Sequence, residues 1–170
     1  MSTVTEILPY RPDVIAETLG HSHRFFRRST CVLSDEHADF APQEGLLTVK
    51  EHVAHVAHTV DWFLDALESG EYDMEFERHA EEISAVESLT AAFDWVDRAF
   101  DRAGRYLANR TAEELAQLQP ENPIMNGPKG SVFAAVIEHT AHHRGALTVY
   151  SRLQGLVPPM PYLEEGEELG

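Results

Sequence analysis

Three observations predict an all-α fold, a four-helix bundle with a long loop before its last helix. Four long segments carry apolar residues at helical spacing, and none alternates over any length as a strand would. Glycine, proline and capping residues punctuate the four segments where helices should start and stop.

The first helix is expected from about Pro12 to Ser34, opened by Pro12-Asp13, a favoured helix-start pair. Asp35 to Leu47 contains Pro42 and Gly45 and reads as a connection. The second helix starts at Thr48, with Glu51 three residues on to complete a capping box, and Ser69-Gly70 stops it. Within it Val49, Val53, Val56, Val60, Phe63 and Leu67 alternate spacings of three and four, a core-facing stripe.

Residues 70–82 are acidic and read as irregular. The third helix is expected from about Ser84 to Leu107, with Leu89, Phe93, Val96, Phe100 and Leu107 inward. Thr111-Ala112-Glu113-Glu114 marks one further turn, followed by a loop holding Pro120, Pro123, Gly127, Pro128 and Gly130. That loop exceeds the usual bundle connection of about 2 to 8 residues and is a candidate lid. The fourth helix runs from Ser131 to about Gln154; Gly155 caps it, and Pro158, Pro159 and Pro161 forbid continuation. The 170 residues are read as a single domain with its core at about 12–155, and the acidic tail 163–170 is expected to fray.

Charge narrows the function. The net charge is −16, from 13 Lys and Arg against 29 Asp and Glu, which repels nucleic acid and anionic membranes but favours cations. No apolar run reaches about 18 residues, and the N-terminus lacks a basic stretch followed by an apolar run. A cytoplasmic protein is therefore expected. The single cysteine, Cys31, cannot form an intrachain disulfide and is expected to be a small core residue.

Histidine placement carries the chemistry. Each helical residue advances about 100°, so His139 shares one face with Val132, Ala135, Val136, His143, Ala146, Tyr150 and Leu153. His139 and His143 thus lie one turn apart on an apolar stripe, while His142 falls on a flank and Arg144 points away. Such a pair is either hydrogen-bonded within the core or shares a divalent metal through neutral imidazoles. A third ligand would come from the second helix, where periodicity prefers His52 over His55 and places His58 in solvent. His21, His23, His37 and His79 have no partner at ligand spacing and are expected at the surface. HExxH is excluded by Thr140, and Glu-x-x-His by Ala54 and Ala141; there is no CxxC, P-loop or dinucleotide fingerprint.

With these residues in place, the chain resembles the DinB-like (YfiT-like) superfamily of metal-binding four-helix bundles. His139-x-x-x-His143-Arg144-Gly145, continuing through Tyr150, Arg152, Gly155 and Pro158-Pro159, is similar to that family's final-helix signature. Thr48 to His55, followed by Trp62-Phe63, is similar to its second-helix stretch. The resemblance implies His55, His139 and His143 as metal ligands, replacing the periodicity preference for His52. It departs at Ala146, where the family often has Gln.

What the resemblance implies is an open site for a divalent ion: zinc or nickel first, then iron, manganese or copper. Characterised relatives include S-transferases using low-molecular-weight thiols and a mycothiol-dependent maleylpyruvate isomerase. The leading expectation is a metal-dependent enzyme, transferase or hydrolase, on a small molecule, with a low-molecular-weight thiol as cosubstrate. The rival is a non-catalytic metal-binding or stress-response bundle. Glu138, His142 and His52 are the nearest acid/base candidates, with no catalytic residue assigned. A homodimer is expected, because relatives frequently dimerise.

Overall fold

The computed structural model describes residues 10–163. The expected acidic tail, Glu164 to Gly170, lies outside the described residues. The helices are α1 (Pro12–Thr30), α2 (Val49–Ser69), α3 (Phe76–Ser84), α4 (Leu89–Ala108), α5 (Ala112–Ala116) and α6 (Ser131–Leu153), with one 3-10 turn at Asp35–His37. No strand occurs among the described residues.

Helix α2 begins and ends where its sequence signals lie. Thr48 accepts from the Glu51 N–H, Glu51 reaches back to the Thr48 N–H at 2.8 Å, and Gly70 closes the helix at φ 86°. All six residues of its predicted stripe are buried. Each such burial is worth about 1.5–3 kcal/mol. Thr111 and Glu114 form a second capping box on the short α5, as expected.

Two predicted boundaries move. Helix α1 stops at Thr30 rather than Ser34, where the Cys31 N–H turns to the Arg28 carbonyl at 3.5 Å and the Leu33 N–H to the Thr30 carbonyl at 3.0 Å, tighter bonds that replace the i−4 ladder. Cys31 then falls in the turn beyond the helix and is exposed, contrary to its expected place in the core. The third long helix starts at Leu89 rather than Ser84, capped by the Ser88 hydroxyl accepting from the Ala91 N–H at 3.0 Å. Part of the acidic stretch read as irregular is the separate helix α3, which buries only His79 and Ile83.

Helix α1 packs on α4 and α6, and α2 packs on the same two. The connections from α1 to α2 and from α4 to α6 therefore cross the bundle, which requires their length. The second crossing is held firmly. Its Leu118–Pro128 bridge is flanked by Gln119 N–H to Gly127 O at 3.0 Å and Lys129 N–H to Gln117 O at 2.8 Å. The Tyr72 hydroxyl donates to Gln119 Oε1 at 2.6 Å, tying this loop to the segment before α3. No described helix is long and apolar enough to cross a membrane.

Candidate metal centre

Helix α6 delivers His139 and His143 one turn apart, and α2 delivers His55 from the neighbouring helix. His139 Nε2 lies 3.2 Å from His55 Nε2 and 3.2 Å from His143 Nε2. One ligand atom from each of the three residues falls within 4.8 Å of the others. Tetrahedral bonds of about 2.0–2.1 Å to zinc put ligand nitrogens about 3.4 Å apart, so the spacing fits one divalent ion.

Protonation agrees with that fit. Burial, then the neighbouring His55 and His142, pushes His139 down to about 4. Burial followed by the surrounding imidazoles also lowers His143, and burial with His58 lowers His55. Three neutral rings present nitrogen lone pairs, the form in which histidine binds metal.

His52, preferred by periodicity, does not join the three. Its Nδ1 lies 2.8 Å from His143 Nδ1, on the side of that ring away from Nε2. Tyr150 packs edge-on to His52 at 5.1 Å and donates its hydroxyl to the Leu47 carbonyl at 3.3 Å. His52 is therefore an orienting partner of His143, in the position where metal-binding histidines commonly find a second contact. Glu138 and His142 are exposed, as a flank position implies for His142, and Ala146 is half-buried.

A pocket of about 430 Å³ opens beside the cluster. His55, His139, Trp62, Phe76, Ile83 and the loop residue Ile124 are among its lining residues, so the long loop does cover part of the site. Thr59 lines it too, a small residue leaving room on the α2 flank.

Two further histidines reach this pocket against expectation. His58, expected in solvent, and His79, expected at the surface, both line the pocket, with ring centroids 4.7 Å apart. Helix α3 folds over α2 and covers His58, a tertiary contact that single-helix periodicity does not contain. His23 and His37 meet partners outside the pocket instead, Asp97 Oδ1 of α4 at 2.7 Å and the nearby Ser34 Oγ at 2.9 Å.

The fold recurs in known proteins. The chain superposes on a DinB-like protein from Bacillus cereus ATCC 10987 with a TM-score of 0.69 and 20% identity, covering 88% of this chain and 97% of that one. It matches the DinB-like protein YjoA from Bacillus subtilis with a TM-score of 0.66 and 18% identity, over 88% and 96% of the two chains. Bacillus subtilis YfiT, described as "a probable metal-dependent hydrolase with an unusual four-helix bundle topology", gives 0.65 and 17% over 92% and 94%. No curated protein matches the chain significantly. The DinB family model matches residues 16–169, spanning all four long helices from within α1 onward, and the chain belongs to the DinB family.

Proposed function

We propose that this protein is a divalent-metal-dependent enzyme acting on a small molecule, with His55, His139 and His143 as its metal ligands. The observation carrying the reading is that three neutral imidazoles converge beside an apolar pocket instead of inside a sealed core. A divalent ion held there by three protein ligands would supply Lewis acidity at an open coordination position. The chain's own residues do the rest. His52 orients His143, while Trp62, Phe76 and Ile83 take up an apolar group and exclude water.

Zinc or nickel suits the all-imidazole set first, with iron, manganese and copper as further occupants. A low-molecular-weight thiol as cosubstrate, and hence S-transfer, is the finer form of this reading and rests on the family resemblance. So does the homodimer, while the cytoplasmic setting rests on the sequence reading of the N-terminus and apolar runs. YfiT's description as a probable metal-dependent hydrolase supports assaying hydrolysis as well as S-transfer.

Metal analysis of untagged protein is expected to give about one divalent ion per chain, lost in His143→Ala. Absence of stoichiometric metal in the wild type overturns the reading. Metal-dependent turnover of a thiol with a generic electrophile, or of an ester or amide, supports the enzyme. Tight metal binding without any turnover supports a sequestering protein instead.

A further inference from the structure

We propose that His58 and His79 form a proton-accepting pair in the wall of the substrate pocket, serving a weakly acidic X–H ligand that carries an apolar group. This rests on the metal-centre reading above, because the same pocket must receive the ligand's reactive end beside His55 and His139.

Both rings line that pocket, and both are nearly enclosed, with side-chain exposures of 12% for His58 and 9% for His79. Neither belongs to the metal cluster. Each faces a carboxylate: His58 Nε2 lies 3.5 Å from Glu82 Oε2, and His79 Nε2 lies 3.4 Å from Asp73 Oδ2. A carboxylate behind an imidazole biases its tautomer and stabilises the ring once protonated, leaving the other nitrogen to accept.

Arg78 holds both carboxylates in place. Its guanidinium pairs with Glu82 at 2.6 Å, with Asp73, and with the more exposed Glu75 at 3.2 Å. Against Asp73, Glu75 and Glu82 one guanidinium leaves negative charge uncompensated, which favours a proton on the imidazoles that face Glu82 and Asp73. The remaining charged neighbour from α2 is Asp61, already engaged by Trp95 Nε1 at 2.8 Å and Arg102 at 2.9 Å. Helix α4 adds only the Trp95 ring against His58, at 6.1 Å. Burial first, then His79 and Arg78, lower the His58 pKa against the pull of Glu82 and Asp61, so the ring starts neutral.

The step balances simply. The ligand's X–H bond breaks, its electron pair stays on X, and the proton becomes a new N–H on the imidazole pair. Trp62, Phe76 and Ile83 receive the apolar group. The shared ligand chemistry is thus a weak acid with an aryl or alkyl body, and its X can be sulfur or oxygen.

Proton-linked calorimetry tests this without requiring turnover. Zinc-loaded protein is titrated with phenylmethanethiol and, separately, with benzohydroxamic acid, each in buffers of different ionisation enthalpy near pH 7. Both probes are weak acids that enter mainly protonated. For the probe that binds, wild type is expected to release close to zero protons to buffer, because the pair retains the proton. The double variant His58→Gln/His79→Gln is expected to release about one proton per ligand bound. Binding of the thiol alone or the hydroxamic acid alone identifies sulfur or oxygen as X. Wild-type release near one proton overturns the proposal by itself, even should the double variant fail to fold. Equal release by wild type and a folded variant overturns it as well. A zinc-loaded wild type that binds neither probe overturns this proposal and leaves the metal centre standing, whereas a wild type that holds no zinc overturns both.

Discussion

His52 Nδ1 stands 2.8 Å from His143 Nδ1, and that contact fixes which nitrogen of His143 is free. Burial, then the neighbouring His55, pushes His52 down to about 4, so neutral His52 can accept the His143 Nδ1–H and leave the His143 Nε2 lone pair aimed at His139 and His55. Removing such a contact typically costs 10- to 100-fold in metal affinity. His52→Phe is expected to lose metal to a competing chelator with that weakening, while His52→Asn, which keeps an acceptor near the same place, loses less. Equal retention by His52→Phe and wild type would sink the assignment.

Gly130 sits at the junction of the long loop and α6, where a Cβ would lie 2.3 Å from Tyr10 Cδ1 and 2.6 Å from its Cγ. The backbone there has φ −64°, so space rather than backbone conformation requires glycine. Gly130→Ala must displace a ring packed against the core, an overpacking cost of about 1–3 kcal/mol. In urea unfolding, Tyr10→Ala/Gly130→Ala is expected to lose less than the sum of the two single variants. Strict additivity would rule out the steric account.

What the sequence discloses follows from where each signal is stored. Helix α2 was readable end to end because its caps and stripe are local. So was the i, i+4 pairing of His139 and His143. The buried face of α6 keeps Val132, Val136, His143 and Tyr150 of the expected stripe but turns toward Phe133, Thr140, Leu147 and Ser151, while Leu153 is exposed. Thr140 and Ser151 enter the core by bonding back to the Val136 and Leu147 carbonyls, which hydropathy does not register. His139 consequently lies at the edge of that face, where it can meet the pocket. The choice of His55 over His52 came from the family likeness, since on one helix both flank the same stripe. His58 and His79 belong to different helices, and only tertiary packing brings them together.

Arg102 of α4 ties down one turn after another of α2, reaching Asp61 at 2.9 Å, Asp65 at 2.6 Å and Glu68 at 2.6 Å. Its loss leaves three carboxylates adjacent on one helix face without the guanidinium that bridges them. Arg102→Met is expected to cost about 1 kcal/mol, a fall in Tm of about 2–4 °C for a chain of this size. The deficit should shrink in ~1 M NaCl, where the Debye length falls to about 3 Å. A salt-independent deficit in thermal melts would instead assign the loss to packing of the Arg102 stem.

Glu51 gives α2 an acid-sensitive start. Burial would raise its carboxyl, but hydrogen bonds from the Thr48 N–H and hydroxyl, with Ser84, outweigh it and hold the pKa below the ordinary 4.5. A carboxylate depressed in the folded state adds stability above its unfolded pKa and forfeits it as pH falls through the folded value. At pH 7 wild type is therefore expected to exceed Glu51→Gln by about 1 kcal/mol, the usual scale of a helix cap and a first-turn charge. Below about 4.5 the gap should narrow, because the unfolded chain takes up a proton that the folded chain resists. Urea unfolding of chelator-treated protein in steps from pH 7 down to pH 3 measures the gap directly. A gap that stays constant across that range would show that Glu51 acts through hydrogen-bond geometry alone, with no contribution from its charge.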